Sequence, residues 1–539
     1  MDQHRLGARL LDLSIQDELR WYNDPTTMTT NIIFVLLGLS VIKLAISLFG
    51  RPALPHNAPL LWKPDDWPLL GSLRFFTERT DMVLDATAAH ESSGSRTGNF
   101  SFFLGKKHVV GIGRTPEARI TFYENRNLDL LQGSAELLTA LPLAEGDVNR
   151  FGTFFTKTLT STLRGEKLVM NLPLIARDAR AMCQLLLNKE LATADSEWRV
   201  MDTFDVFQRL IFQMTTRTIG AHEIAEDHAL GDYTLSIFRG IERRNSVAKI
   251  FISWLPTPAH IMRMCDAFRF YRVMSWIVTE RMRTGVTQQD TMQLLIDSGT
   301  NIKDITAFQL QGLFAGLLNT ALNLSWVVLL LSVSPEWKAR AIGEVDAVIS
   351  KHRTSPSQTT ADVLDTLSLD SWQTEFPLLV DGCLPEAMRL TMRGTPFRKN
   401  VGSLGVPLEK NRDPAEIIPG GSYAAYLIHH VHFDPEIYPD PERFDPGRYE
   451  AHRAEHKRAP HVFLGWGTGK HPCLGTRFAK LETAVALAYF LSAVDFEVAA
   501  DSTGAASSQA PPLPPRNVNL ATRPTRPIYL RYKPRSNAL

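Results

Sequence analysis

The sequence predicts a mainly α-helical body with small β-sheets, carried behind an N-terminal transmembrane helix. Three observations lead there. An apolar run of eighteen residues, Ile32 to Phe49, lies near the start of the chain. Apolar residues recur at helical spacing from about 170 to 350. Strand-like segments are short and confined to the neighbourhoods of 100–112, 416–428 and 526–533. At 539 residues and 44% hydrophobic content the chain has material for one large core. Its 58 Lys and Arg against 57 Asp and Glu leave a net charge of +1, which offers no field to draw nucleic acid, so that class of partner is excluded.

Residues 1–31 form a polar segment read as luminal or interfacial, and 32–49 the anchor. A helix rising ~1.5 Å per residue covers about 27 Å over this span, close to the ~30 Å hydrocarbon core. Lys43 is its one charge, and no small-residue cleavage site follows, so the segment is read as retained rather than as a removable signal. Residues 50–72 carry Pro52, Pro55, Pro59, Pro64 and Pro68 and read as a stiff linker. The body is then 73–539. It opens with a β-hairpin, in which Phe100–Phe103 and Val109–Ile112 flank Leu104-Gly105-Lys106-Lys107. Pro335 closes the most apolar of the helical stretches. Ser502 to Pro515, rich in Ala, Ser and Pro, reads as a surface loop.

The four cysteines, Cys183, Cys265, Cys383 and Cys473, show no CxxC spacing. Neither a disulfide framework nor a zinc site is indicated, and the body is expected to face a reducing compartment. Cys473 alone has an unusual neighbourhood, Trp466-Gly-Thr-Gly-Lys-His-Pro-Cys473-Leu-Gly475, followed by helical spacing from Thr476 to Ala488. A thiolate at a helix start is favoured by backbone N–H groups and the helix dipole, while Gly469 and Gly475 permit turns and close approach to a flat ligand. Iron held by such a thiolate gains electron density that favours O–O cleavage.

This stretch resembles the haem-binding loop of the cytochrome P450 family: aromatic, Gly, basic residue, Cys, Gly. Trp466 stands where the family usually has Phe. The resemblance implies the P450 fold, haem b on Cys473 and His471 beside a haem propionate. It extends over 370–490. Glu386-Ala-Met-Arg389, 87 residues before Cys473, and Pro441-Glu-Arg443-Phe444, 30 before it, resemble the family's buried Glu-Arg-Arg network. In that reading Arg443 closes a fork on Glu386, and Arg398, nine residues after Arg389, is a second propionate partner.

Two features depart from the family pattern. In Phe314-Ala-Gly-Leu-Leu318-Asn319-Thr320, Leu318 takes the place of the usual acid and Asn319 that of the usual threonine. This variant resembles the branch holding sterol 7α- and 12α-hydroxylases and prostacyclin synthase. The Trp-x-x-x-Arg expected near 145–165 is missing, and neither Lys157 nor Arg164 matches its spacing.

The resemblance implies an oxidoreductase that inserts one oxygen atom from O2 into a lipophilic terpenoid, steroid or polyketide-like substrate, in the setting of fungal secondary metabolism. Electrons would come from NADPH through a membrane-bound reductase, with the chain held single-pass in the endoplasmic reticulum membrane and its body in the cytosol. Asn319 and Thr320 are the expected catalytic pair. Two other readings stay open: a reductase-independent isomerase or lyase acting on a peroxide or epoxide, and a non-catalytic haem-binding sensor.

Overall fold

The apolar run expected to end before Pro335 forms one helix of 31 residues, Ile302–Ser332, in the computed structural model of the chain. Asn301 starts it by accepting the Asp304 N–H at 2.9 Å. Its composition would suit a membrane span, but 78% of its most apolar window is buried inside the body, so it is the central core helix. The structure describes residues 29–30, 32–40, 43, 50–95, 97–137, 148–192, 197–244, 257–409, 414–507, 509–517, 523–524 and 526–535.

The larger helices around it are α1 (Val148–Thr162), α2 (Gly165–Leu187), α3 (Thr203–Thr218), α4 (His228–Arg243) and α5 (Pro258–Thr284), which precede the central α6 (Ile302–Ser332). After it come α7 (Pro335–His352), α8 (Leu384–Thr391) and α9 (Thr476–Ala493). Helix α6 packs along α3 on one side and α8 and α9 on the others. Glycines set the α3 approach: a Cβ on Gly312 would stand 2.6 Å from Ile219 Cγ2, and one on Gly316 3.1 Å from Thr215 Cγ2.

A seven-stranded sheet forms the smaller layer, with strands in the order β1 (Asp66–Trp67), β2 (Gly71–Ser72), β3 (Phe100–Leu104), β4 (Lys107–Ile112), β10 (Tyr423–Tyr426), β7 (Phe397–Asn400) and β5 (Leu128–Asp129). The expected hairpin is its β3–β4 pair, with Leu104 opposite Lys107. Strand β10 runs parallel to β4, Tyr423 opposite Val109, and antiparallel to β7. Three strands at the other end of the body, β6 (Arg199–Asp202), β11 (Val494–Ala499) and β12 (Tyr529–Pro534), form a second sheet. A third is the pair β8 (Val406–Pro407) and β9 (Ile417–Ile418). Residues 502–507 and 509–515 carry no helix or strand and are mostly exposed, as a surface loop requires.

The proline-rich stretch differs from a free spacer. Trp62 N–H donates to Ser101 O at 2.8 Å, Ser101 N–H to Leu60 O at 2.8 Å, and Gly71 pairs with Leu104, so the body begins before residue 73. Prolines are tolerated there because these are edge positions of the sheet. Of the expected anchor, 32–40 are helical, and Ile32 to Leu37 and Leu39 are each about half exposed or more. Residues 41–42 and 44–49, and all of 1–28, lie outside the described residues.

Candidate active site

The chain leaves β10, passes a short helix at His429–His432 and returns as the loop before α9. The His432 ring accepts Leu464 N–H at 3.0 Å, and Gly467 N–H closes a turn on Leu464 O at 3.0 Å. Gly467 and Gly469 both sit in the left-handed region, φ +64° and +63°. A Cβ on Gly469 would stand 2.2 Å from the Tyr123 carbonyl oxygen, and the next residue, Lys470, donates its N–H to that oxygen at 3.0 Å. Gly475 differs: its φ is −91°, and a Cβ there would meet only Cys473 Sγ at 3.9 Å, so it leaves room beside the thiol rather than making a turn. Cys473 N–H donates to Trp466 O at 2.7 Å, and Thr476 Oγ1 donates to Cys473 O at 3.0 Å as α9 begins.

Above this loop lies a cavity of about 250 Å³ between α6 and α9. Cys473, Trp466, Gly465 and Gly475 line its floor; Ala315, Gly316, Asn319, Thr320 and Asn323 of α6 face them; Phe155 and Leu159 of α1 and Met388 of α8 close the sides. Cys473 is exposed to it, whereas Cys183 and Cys383 are buried elsewhere with their thiol pKa driven well up by desolvation. Leu318 turns away from the cavity and packs near Phe204, Gln208, Glu242 and Arg523. Lys157 and Arg164 are not among the lining residues, so no cation from α1 or the turn after it enters.

Arg398, on β7, is 3% exposed. Its Nη1 donates to Phe397 O at 2.9 Å, its Nε has no partner, and the guanidinium lies over the Phe122 and Tyr123 rings at 5.0 and 5.8 Å. Burial lowers its pKa, and its charge adds to the burial that lowers that of half-buried His471 nearby. Arg398 and His471 thus lie near one another, outside the lining of the cavity, with no carboxylate bonded to either among the described residues. A flat ligand carrying carboxylates and a thiolate-seeking metal fits this donor set.

A family model described as cytochrome P450 matches residues 147–511. The chain belongs to the cytochrome P450 family. The P450 is 32% identical to the cytochrome P450 monooxygenase AacuE of Aspergillus aculeatus, over 83% of this chain and 88% of that one. It is 28% identical to the monooxygenase nsrP of Aspergillus novofumigatus, over 88% and 90%. Among solved structures, retinoic acid bound cyanobacterial CYP120A1 shares the fold at TM-score 0.63 and 19% identity, covering 90% of this chain and 100% of that chain. As a family member the P450 is a haem-dependent monooxygenase, an oxidoreductase.

Behind the loop the P450 holds a buried ion network. Arg389 Nε and Nη2 donate to the two Glu386 oxygens at 2.8 Å each, and both residues are 0% exposed. The third partner is not Arg443, as the sequence pattern suggested, but Arg448, whose Nε donates to Glu386 Oε1 at 3.2 Å and whose Nη1 donates to Glu455 at 2.8 Å. Arg443 has an exposed side chain and contributes its carbonyl, which accepts from Arg389 at 3.4 Å and Arg448 at 3.5 Å. The reason is local: Pro446–Tyr449 form a 3₁₀ turn, capped by Asp445, that swings residue 448 rather than 443 inward. Arg389 Nη1 also donates to His432 O at 2.6 Å, which ties the network to the histidine that holds Leu464.

Sequence reasoning missed Arg448, Glu455, Gly467 and Glu482. Gly467 carried a readable signal, lying two residues before Gly469 in the same loop. Glu482, on α9, is a lone carboxyl in the apolar run Leu481 to Ala488 and lines the cavity.

Proposed function

We propose that this P450 inserts one oxygen atom from O2 into a lipophilic small molecule, terpenoid, steroid or polyketide-like, in fungal secondary-metabolite biosynthesis. Electrons come from NADPH through a reductase partner, and haem b is held by Cys473. The observation that carries the reading is the placement of Cys473 on the floor of an apolar cavity, facing Asn319 and Thr320 across it. Bound haem supplies the oxygen-activating chemistry. Cys473 would hold the iron at the start of α9, and Arg398 and His471 would donate to the two propionates. Phe155, Leu159 and Met388 exclude bulk water and favour an apolar substrate. The Asn319 amide and Thr320 hydroxyl would orient water in the cavity by hydrogen bonds, and neither side chain titrates at neutral pH.

The exposed apolar helix at 32–40 supports attachment to the endoplasmic reticulum membrane, with the body in the cytosol. The fungal sources of the two Aspergillus relatives support the metabolic setting.

A reductase-independent isomerase or lyase is the second reading. It is favoured by Leu318, which removes the usual acid and faces away from the cavity. Turnover of a panel of terpenoid, steroid and polyketide substrates, with and without NADPH and reductase, separates the two. Product that requires both supports the monooxygenase; product formed from a peroxide or epoxide without either supports the lyase.

A further inference from the structure

No carboxylate is bonded to Arg398 among the described residues: its Nη1 returns to the Phe397 carbonyl, its Nε is unpartnered, and two aromatic rings lie beside the guanidinium. The backbone beneath it therefore sets where its charge stands, and a short helix, Leu130–Leu137, is built onto that backbone. The chain enters this helix from β5, which pairs with β7 so that Asp129 stands opposite Lys399. Asp129 Oδ1 then accepts the Gln132 N–H at 2.7 Å and starts the helix. One turn on, Gly133 rests on Arg398 itself: a Cβ there would stand 2.7 Å from Arg398 Cα and 2.9 Å from its N.

The last turn of the helix is held by an acid. Glu136 Oε1 accepts from Lys399 Nζ at 2.5 Å and its Oε2 accepts from the Tyr423 hydroxyl, while Lys107 Nζ donates to the Glu136 carbonyl at 2.7 Å. These partners come from β7, β10 and β4, neighbouring strands of the large sheet. The ammonium groups of Lys399 and Lys107 lie over the Tyr423 ring at 5.6 and 6.0 Å. Burial raises the Glu136 pKa, but the Lys399 and Tyr423 bonds outweigh it and hold the carboxyl below its usual range. On another face the helix puts Leu131 against Gly152 of α1, whose Phe155 and Leu159 close the cavity. Leu130–Leu137 is thus wedged between the strand that carries Arg398 and a wall of the site.

We propose that Glu136 is a positioning residue for the haem: it ties the helix to β7 and β10, seats Gly133 on Arg398, and so fixes where the guanidinium stands for a propionate. The inference rests on Arg398 as a propionate donor. Arg398 and Lys399 are successive residues of one strand and point to opposite faces of the sheet, so Glu136 acts through the backbone and not by touching the guanidinium. A charge-assisted hydrogen bond depends on the direction of its donor, and a shift of β7 weakens it while leaving the donor in place.

The test uses the full-length holoenzyme as wild type, Glu136→Leu, Tyr423→Phe, Arg398→Ala and the two double variants that join Arg398→Ala to each of the others. Haem release is followed as transfer to excess apomyoglobin, and the midpoint potential of the iron is measured on the same samples. Arg398→Ala should speed release by about 10-fold or more, as expected for one hydrogen bond between charged groups. Glu136→Leu should speed it by about 5-fold, and Tyr423→Phe, which keeps the Lys399 bond, by about 2-fold. Both should lower the potential, because a propionate left less neutralised favours ferric iron. Joined to Arg398→Ala, neither should change release further. Lys338→Met, which removes an ion pair with Asp495 in the second sheet, should leave release and potential as in wild type. Wild-type release in both Glu136→Leu and Tyr423→Phe overturns this inference alone. So does an equal effect of Glu136→Leu with and without Arg398, or an equal acceleration by Lys338→Met, because the acid would then only support the fold. Arg398→Ala with wild-type release overturns Arg398 as a donor and this inference together.

Discussion

Arg448 Nε donates to Glu386 Oε1 at 3.2 Å, so the carboxyl that grips Arg389 is shared with a second guanidinium from 62 residues further along the chain. The side chain of Arg443, five residues earlier, is exposed and takes no part.

Replacing Arg448 with Ala should therefore leave Glu386 and Glu455 short of a cation in a buried site, at a cost of about 3–5 kcal/mol. Arg443→Ala should stay within roughly 0.5 kcal/mol of wild type, since its carbonyl remains. Denaturant unfolding of the two variants side by side checks this. Equal losses would restore Arg443 to the network.

Gly469 is the loop position where a side chain would press hardest on neighbouring backbone. Its φ of +63° would cost another residue about 1–3 kcal/mol, and a Cβ would press to 2.2 Å from the Tyr123 carbonyl oxygen. Gly469→Ala should lower the melting temperature and the fraction of haem retained through gel filtration. Gly343→Ala, in the middle of α7 with nothing within 4 Å, serves as the control and should stabilise by about 0.5–1 kcal/mol.

His430 and His432 are buried, and desolvation lowers each pKa to about 3. Both ring nitrogens of His430 lack a hydrogen-bond partner among the described residues. A group with a depressed folded-state pKa contributes stability that is present above its unfolded value near 6.5 and is lost as pH falls towards 3. The unfolded chain takes up the proton in that window and the folded chain does not. Stability should fall below pH 6.5 by about 1.4 kcal/mol per pH unit for each histidine. His430→Phe should flatten that slope by one proton's worth in urea unfolding at pH 5 and pH 7. An unchanged slope would mean that His430 is not held neutral.

The hairpin was legible because two short stretches rich in aromatic and β-branched residues flank Leu104-Gly105-Lys106-Lys107, and α6 because its run is long and closed by Pro335. The loop at Cys473 was legible because glycines at fixed offsets answer a backbone need that Gly469 displays. Arg448 was not legible. Its partner choice depends on a turn at Pro446-Gly447, and an arginine five residues along from another presents no spacing that ranks the two. The strands at 66–67 and 71–72 were hidden by prolines that suit an edge as well as a linker. Glu482 was not singled out, although a single carboxyl within an apolar helical run is itself a sign of burial.

The assignment of Cys473 as the thiolate that holds haem iron is decided by the reduced carbon monoxide difference spectrum of wild type and Cys473→Ala. Wild type should show the long-wavelength Soret band of thiolate-ligated haem, and Cys473→Ala should lack it. A wild-type band at the position of histidine-ligated haem, or a thiolate band that survives in Cys473→Ala, would contradict the assignment.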